Sequence, residues 1–379
     1  MNLDFSEDEL ALKAEARRFL EARCTSSTTR AVLDDDAISF DRELWRSLVE
    51  MGWVGARIPE KWGGSGLGHV ELCAIAEEMG RVIAPVPFSS TAYIFAEAII
   101  NHGSDAQRER LLPEIAQGRA IGCLATSEGP GAAGMEAIQT EVVGGRLSGT
   151  KAPVTDGDIA THAIVSAREG NASGLYVVAL SGDGLRRETL RSIDPTRSVA
   201  RLSFDEAVCE PLGKSGDGAA LLSGILDRAA IFLAFEQVGG ADKCLDTARG
   251  YALARYAFGK PIGANQAIKH KLADIYVKNQ LARSHAYFGA WAFAEGGTEL
   301  AKAAAAARIA GTQAYDFAAK ENLQTHGGMG FTWEADCHLH LRRSRQLALS
   351  IGGLPAWRER LVRSLESQVL GLGNSDGLY

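Results

Sequence analysis

The spacing of apolar residues changes twice along the chain, and these changes constrain the fold more than any other feature. Apolar residues recur at helical spacing in 1–118, at two-residue spacing in 119–218 and at helical spacing again in 219–379. The α–β–α order lacks the alternation of strands and helices that builds a doubly wound parallel sheet. It predicts an α+β protein with an N-terminal helical domain, a middle β-barrel or sandwich domain, and a C-terminal four-helix bundle.

Local signals place the elements within each domain. In the first domain a capping box begins a helix at Ser6, and further helices are predicted at 41–51, 70–80, 92–102 and 106–117. In the middle domain Gly144-Gly145 predicts a tight hairpin, and strands are predicted at 163–167, 175–180 and 200–204. In the last domain helices are predicted at 219–254, 264–294, 299–325 and 333–349, with a final helix from Pro355.

Composition excludes several functional classes. Forty Lys and Arg against 47 Asp and Glu give a net charge of −7, which provides no reason to expect nucleic acid or a membrane surface as a partner. The six cysteines are widely spaced, so they predict reduced thiols and no metal site. The N-terminus is acidic and no segment is expected to span a bilayer, so we expect a cytoplasmic protein.

The segment from Tyr251 to Asp274 carries the densest chemical signal. A Gly/Pro turn joins two long predicted helices and displays a guanidinium, an aromatic ring and a carboxamide from Arg255, Phe258 and Gln266. Such a set suits a planar anionic ligand such as a flavin dinucleotide. In the alternative, Phe258 and Ile262 belong to the core and Arg255 is solvated. The chain lacks both the G-x-G-x-x-G turn and the P-loop, so a nucleotide would be bound in another way.

This segment resembles the C-terminal signature of the acyl-CoA dehydrogenases, since it reads R-x-x-F-G-x-P-I-x-x-x-Q-x-I-x-H-x-L-A-D from Arg255. Three further segments resemble motifs of that family, in the same order. They are P-E-x-x-G-G-x-G at 59–66, L-x-G-x-K at 147–151 and Q-x-x-G-G-x-G at 324–330. The middle flavin segment, T-E-P-x-x-G-S-D in the family, reads T-S-E-G-P-G-A-A-G at 126–134 and so departs from the pattern.

The resemblance implies FAD as the cofactor, held between the last two domains and completed by a neighbouring subunit. Carried over by position, Arg255 would bind the pyrophosphate, Phe258 would pack on the flavin nucleotide, and Gln266 would reach the adenine or ribose. From the partner protomer, Gln324, Gly327 and Gly328 would meet the pyrophosphate and ribose; the alternative for the two glycines is a helix end. Ser127 is the counterpart of the flavin-contacting threonine.

The resemblance also implies a reaction: introduction of an α,β double bond into an acyl-CoA thioester, for which a carboxylate must remove the α-proton. The usual late glutamate position holds Ile351, and the alternative position early in the C-terminal domain holds Ala229. Glu236 lies two helical turns beyond Ala229 on the same face, in an apolar run, and is the candidate base. In the alternative, Glu236 pairs with a basic group in the bundle.

Three functions remain open on the sequence. The first is a dehydrogenase of lipid catabolism for a bulky or steroid-type acyl-CoA, working as a homo- or hetero-tetramer with electron-transfer flavoprotein or a similar acceptor. The second is a non-catalytic or half-site subunit of a heteromeric dehydrogenase. The third is a flavin oxidase on the same scaffold. His338 and His340 point apart on a helix, which disfavours a metal site there.

Overall fold

The computed structural model describes residues 5–129, 135–214, 216–295 and 299–373. The chain divides into two compact units. One consists of Met1–Glu15, Ala76–Ile83 and Ala230–Tyr379, and the other of Ala16–Ile75 and Ala84–Ala229. The division into domains at 118 and 218 stays a prediction, whereas the α–β–α order along the chain is confirmed.

Eleven α-helices occur in the described residues, six before the strands and five after them. The first six are α1 (Glu7–Arg23), α2 (Ser26–Leu33), α3 (Arg42–Glu50), α4 (His69–Val82), α5 (Glu97–His102) and α6 (Asp105–Ala116). The last five are α7 (Gly218–Ala254), α8 (Gln266–Glu295), α9 (Glu299–Thr325), α10 (Cys337–Leu349) and α11 (Leu354–Gly373). The capping box at Ser6 is confirmed, since Ser6 and Glu9 exchange backbone-to-side-chain hydrogen bonds of 2.6 and 3.3 Å.

Seven strands form the sheet of the middle region. They are β1 (Gly122–Ala125), β2 (Glu141–Val143), β3 (Arg146–Thr155), β4 (His162–Glu169), β5 (Ala172–Ala179), β6 (Leu185–Thr189) and β7 (Val199–Leu212). Pairing runs from β4 through β2, β3, β7 and β5 and returns to β4, so these strands close a barrel; β1 also pairs with β4, and β6 pairs with β7. The predicted glycine hairpin joins β2 to β3, with φ of 58° and 75° at Gly144 and Gly145.

A π-helix at Ser89–Ala96 replaces the regular helix predicted to begin at residue 92. A buried cluster holds its first turn. The Arg197 guanidinium donates to Ser89 Oγ over 2.8 Å and forms a two-point ion pair with Asp156, which also accepts from Ser90 Oγ over 2.5 Å. All four residues are nearly inaccessible to solvent. Because each buried charge has its partner, the cluster fixes this segment against the barrel.

Glycines allow α4 and α7 to cross at very short distance within the first unit. A Cβ on Gly80 would lie 1.8 Å from the carbonyl oxygen of Glu236, and a Cβ on Gly239 would lie 1.7 Å from that of Glu77. No larger residue fits these distances without a backbone shift. The crossing places the buried carboxylates of Glu77 and Glu236 in the interior of the helical unit.

By length and composition, α7 is the one described helix that could cross a bilayer, contrary to the expectation that no segment would qualify. Its most apolar 18-residue window has a mean hydropathy of 1.6, and 61% of that window is buried inside the protein. A core helix meets the same criterion as a membrane span, and the burial fits a core helix.

Candidate functional site

The turn after α7 presents Phe258 to solvent in a strained conformation. Tyr256–Ala257 and Lys260–Pro261 pair as a two-residue hairpin with Phe258 and Gly259 at its tip, where φ is 55° and 77°. The Phe258 side chain is fully exposed (102%), so the alternative that it belongs to the core is wrong. A bulky residue with positive φ is rare and costs about 1–3 kcal/mol, and such strain concentrates at ligand sites.

A second turn lies at the same end of the bundle. The rings of Tyr251, in the last turn of α7, and His326, which follows α9, stack with centroids 4.1 Å apart. This contact brings the Arg255 turn and the Gly327-Gly328 turn together within one chain, although they are distant in sequence. Gly327 has φ of 59° just beyond the end of α9, which supports its role as a helix end and leaves a further role in ligand contact open.

The predicted cofactor residues of this unit are polar and accessible. Arg255, Gln266 and Gln324 are exposed, and a Cβ built on Gly327 or Gly328 would meet open space. The set offers a guanidinium for phosphate oxygens, carboxamides for hydroxyl and ring groups, and an aromatic face, which are the groups that an adenine dinucleotide requires. The residues present therefore fit FAD, with Arg255, Phe258 and Gln266 as the groups that would hold it; the contact of Gln324 from the partner protomer stays a prediction.

Ser127 belongs to the other unit, in the short loop that follows β1. Its hydroxyl donates to the carbonyl of Gly129 over 3.1 Å, and its own carbonyl accepts from the backbone N–H of Ala152 over 2.8 Å. The predicted flavin segment continues through 130–134, which lie outside the described residues. Ser127 is thus a half-buried hydroxyl on a loop pinned to β3.

Glu236, the candidate base, lies in a buried ionic cluster. It is 4% exposed, and its Oε1 is 3.8 Å from a guanidinium nitrogen of Arg343, which is 1% exposed. Burial lowers the pKa of Arg308 to about 10, and the nearby charge of Glu236 opposes that shift. Arg308 also donates to Gln237 over 3.1 Å and to the carbonyl of Leu347. The alternative in which Glu236 pairs with basic groups therefore has direct structural support, and its role as base stays a prediction.

The two positions at which the family's glutamate was expected are apolar and buried. Ala229 is 0% and Ile351 is 7% exposed, and neither side chain can accept a proton. Ile351 follows α10, and its carbonyl accepts from the indole nitrogen of Trp357 over 3.2 Å.

The histidines of α10 have structural partners. His340 is buried and its Nδ1 lies 2.9 Å from the Tyr315 hydroxyl; burial, reinforced by Lys243 and other cations, lowers its pKa to about 3. His338 stacks on Trp333. Among the described residues, no group of three or more His, Cys, Asp or Glu could hold a metal ion.

Two features of the site were missed by sequence reasoning. The positive φ of Phe258 was missed, although the F-G dipeptide at a turn could have indicated a hairpin tip. The ion pair that joins the quoted motifs at 126–134 and 147–151, Glu128 with Lys151, was also missed. No local pattern reveals which of many charged residues meet across a sheet.

Comparisons with known proteins agree with this geometry. The family model "Acyl-CoA dehydrogenase, N-terminal domain" matches residues 6–119, and "Acyl-CoA dehydrogenase, C-terminal domain" matches residues 216–354. The chain is 32% identical over 369 residues to acyl-CoA dehydrogenase IpdE2 of Mycobacterium tuberculosis, covering 96% of this chain and 98% of that protein.

The chain is also similar in fold and sequence to solved structures. The chain is 31% identical to a variant of the Tcur3481-Tcur3483 steroid ACAD, with a TM-score of 0.88, and the match covers 96% of this chain and 99% of the other. It is 25% identical to a chain of the ChsE4-ChsE5 complex from Mycobacterium tuberculosis, with a TM-score of 0.87 and coverage of 97% and 99%.

The chain belongs to the acyl-CoA dehydrogenase family. It is an FAD-dependent oxidoreductase that acts on acyl-CoA thioesters, which confirms the predicted family, enzyme class and cofactor.

Proposed function

We propose that this chain is one subunit of a heteromeric acyl-CoA dehydrogenase that acts on a bulky, steroid-type acyl-CoA, with the catalytic carboxylate supplied by a second chain. The observation that carries the proposal is the apolar character of both expected base positions, Ala229 and Ile351, which are buried.

The environment of Glu236 supports a structural role over a catalytic one. A general base must take up a proton during each turnover. Protonation of Glu236 would remove the negative charge that faces the buried guanidiniums of Arg343 and Arg308. Leaving a buried charge without its partner costs roughly 3–5 kcal/mol, which opposes the proton transfer.

The relatives support the bulky substrate and the second subunit. One similar structure is described as a steroid ACAD and pairs two names, Tcur3481 and Tcur3483. Another is a complex of two differently named chains, ChsE4 and ChsE5. A chain without a carboxylate at either expected base position needs such a partner, which would complete the chemistry in a hetero-tetramer. Electron-transfer flavoprotein or a similar acceptor would then take the electrons.

In this proposal the chain contributes binding and orientation. FAD, when bound, supplies the acceptor for the hydride that leaves the β-carbon. Arg255 would neutralise phosphate charge, Phe258 would pack on the flavin nucleotide and Gln266 would reach the adenine or ribose, while Gln324 would contact the FAD of the partner protomer. By the resemblance, Ser127 would offer its hydroxyl to the flavin. The α-proton passes to the partner's carboxylate.

The test is to install the carboxylate that this chain lacks. The isolated chain should not oxidise a steroid-type acyl-CoA, whereas Ile351→Glu should gain turnover by a factor of roughly 10² or more, the usual contribution of a general base. Ile351→Gln, of the same size but without a basic oxygen, is the matched control. Turnover by the unmodified isolated chain would contradict the proposal.

A self-sufficient enzyme that uses Glu236 is the second candidate, because Glu236 is a buried carboxylate two helical turns beyond Ala229. It predicts turnover by the isolated chain and loss of that turnover in Glu236→Gln. The two candidates therefore differ in the activity of one purified polypeptide.

A further inference from the structure

Glu128 follows Ser127 directly and collects hydrogen bonds from three directions. Its Oε1 accepts from Lys151 Nζ over 2.6 Å, from Thr140 Oγ1 over 2.7 Å and from the Thr140 backbone N–H over 3.0 Å. Its Oε2 accepts from the backbone N–H of Gln139 over 2.7 Å. These bonds join the loop after β1 to β3 and to the residues that lead into β2.

Lys151 is buried beneath this loop. It is 0% exposed, and its ammonium donates to Glu128 and, over 3.0 Å, to Ser166 Oγ on β4. Burial opposes the ionisation of Glu128, but its bonds from Lys151, Gln139 and Thr140 outweigh burial and lower its pKa to about 2. Burial lowers the pKa of Lys151, and Glu128 opposes that shift. Glu128 and Lys151 are therefore ionic partners, with Nζ 2.6 Å from Oε1.

The backbone around Ser127 also bonds to the sheet directly. The Ser127 carbonyl accepts from Ala152 N, one residue beyond Lys151, the Thr126 carbonyl accepts from Ser166 Oγ over 3.5 Å, and Glu128 forms an isolated bridge with Ala152. The hydroxyl of Ser127 donates to the carbonyl of Gly129, whose φ is 139° and whose missing Cβ would meet open space. The Glu128–Lys151 pair adds to these bonds an ionic contact between a buried ammonium and the residue next to Ser127.

We propose that Glu128 and Lys151 are a positioning pair that holds Ser127 in place for FAD, so that the pair sets the affinity for the cofactor. The inference rests on the assignment of Ser127 to the flavin, and it adds two residues to which the motif resemblance gave no role. A buried ion pair that breaks leaves an unpaired charge, and the loop that bears Ser127 then moves away from the sheet.

The experiment measures FAD binding apart from catalysis. A tag on this chain isolates it from its own host together with any partner subunit, FAD is removed, and the dissociation constant is measured by the change in flavin fluorescence on titration. Lys151→Met and Glu128→Gln should each weaken FAD binding at least tenfold at a temperature where circular dichroism shows a folded protein.

Two controls separate positioning from general stability. Arg57→Met removes one partner of buried Glu97, 2.8 Å away in the helical part of the same unit, and should lower the melting temperature without changing FAD affinity more than twofold. Glu188→Gln breaks an exposed pair with Arg201 on the same sheet and should change neither quantity.

If the variants that remove a charge do not fold, Thr140→Val tests the positioning role instead. It removes the 2.7 Å bond to Glu128 and leaves both charges in place, so we expect FAD binding three- to fivefold weaker. Parent-like FAD affinity in folded Lys151→Met, or in Thr140→Val if the former does not fold, overturns the positioning role. Failure of the proposed subunit function would appear differently, as turnover by the isolated chain with FAD affinity unaffected.

Discussion

Neutralising Glu236 should destabilise the protein far more than an exposed glutamate change would. Its carboxylate lies 3.8 Å from Arg343 and close to Arg308, and the side chains of both arginines are about 1% exposed. At an effective dielectric constant of about 20, two charges at this separation attract by roughly 4 kcal/mol. Removing one partner of a buried pair costs about 3–5 kcal/mol, so Glu236→Gln should lose roughly that much free energy of unfolding.

The assay is thermal unfolding followed by circular dichroism. A loss of about 3–5 kcal/mol corresponds to a melting temperature roughly 6–10 °C lower, at about 2 °C per kcal/mol for a chain of this size. Glu359→Gln is the matched control, since Glu359 forms an exposed pair with Arg363 over 2.7 Å. That control should lower the melting temperature by less than about 2 °C.

The same variant distinguishes the two roles of Glu236. If the residue is structural, the complex with its partner subunit keeps turnover within a few-fold at temperatures below the new transition. A melting temperature equal to the parent's, together with turnover reduced by a factor of roughly 10² or more, would contradict the structural role of Glu236 and identify it as the base.

Three other substitutions test the cofactor assignment, the crossing of α4 and α7, and the ion pairs of Glu77. Arg255→Ala should weaken FAD binding at least tenfold in fluorescence titration, and parent-like affinity would contradict the cofactor assignment. Gly239→Ala would place a Cβ 1.7 Å from the Glu77 carbonyl oxygen, so it should lower the free energy of unfolding in denaturant by roughly 1–3 kcal/mol. Gly250→Ala, where a Cβ meets open space, is the control and should not lower it. Burial opposes the ionisation of Glu77, but the charges of Arg283 and Lys13 outweigh burial and lower the pKa of Glu77. The ionised carboxylate therefore stabilises the protein fully above pH 4.5, and this stabilisation falls at lower pH. Glu77→Gln should flatten the dependence of the melting temperature on acid pH.

The long helices could be predicted because their signals are local. The pattern placed α9 at 299–325 and α7 at 219–254, and the structure has Glu299–Thr325 and Gly218–Ala254. Apolar spacing and glycine punctuation act within a few residues, so they are visible in one sequence. The hairpin at Gly144-Gly145 was predicted for the same reason, because two positive φ angles favour glycine.

What the sequence could not show are contacts between distant residues. Glu77 pairs with Arg283, 206 positions away, and no local pattern selects that arginine. Helix α2 was missed because Ser26–Leu33 is short and rich in Ser and Thr, which are weak helix formers. The π-helix at Ser89–Ala96 was missed because an apolar run carries no sign of a widened turn.

In the candidate site, too, local sequence signals identified single residues but not the contacts between them. The family motifs indicated Arg255, Phe258 and the glycine turn individually, but only the structure shows the Tyr251–His326 stack that brings the two turns together. Likewise, the sequence shows that Glu236 is an acidic residue in an apolar run, but it does not show that Arg343 lies beside it.

An anaerobic titration of the purified, FAD-loaded chain with a steroid-type acyl-CoA, followed by the flavin absorbance, distinguishes a subunit that needs a partner's carboxylate from a self-sufficient enzyme. We predict no bleaching of the flavin by the chain alone, and bleaching once a family member that carries the missing carboxylate is added. Bleaching by the chain alone would contradict the proposed subunit function.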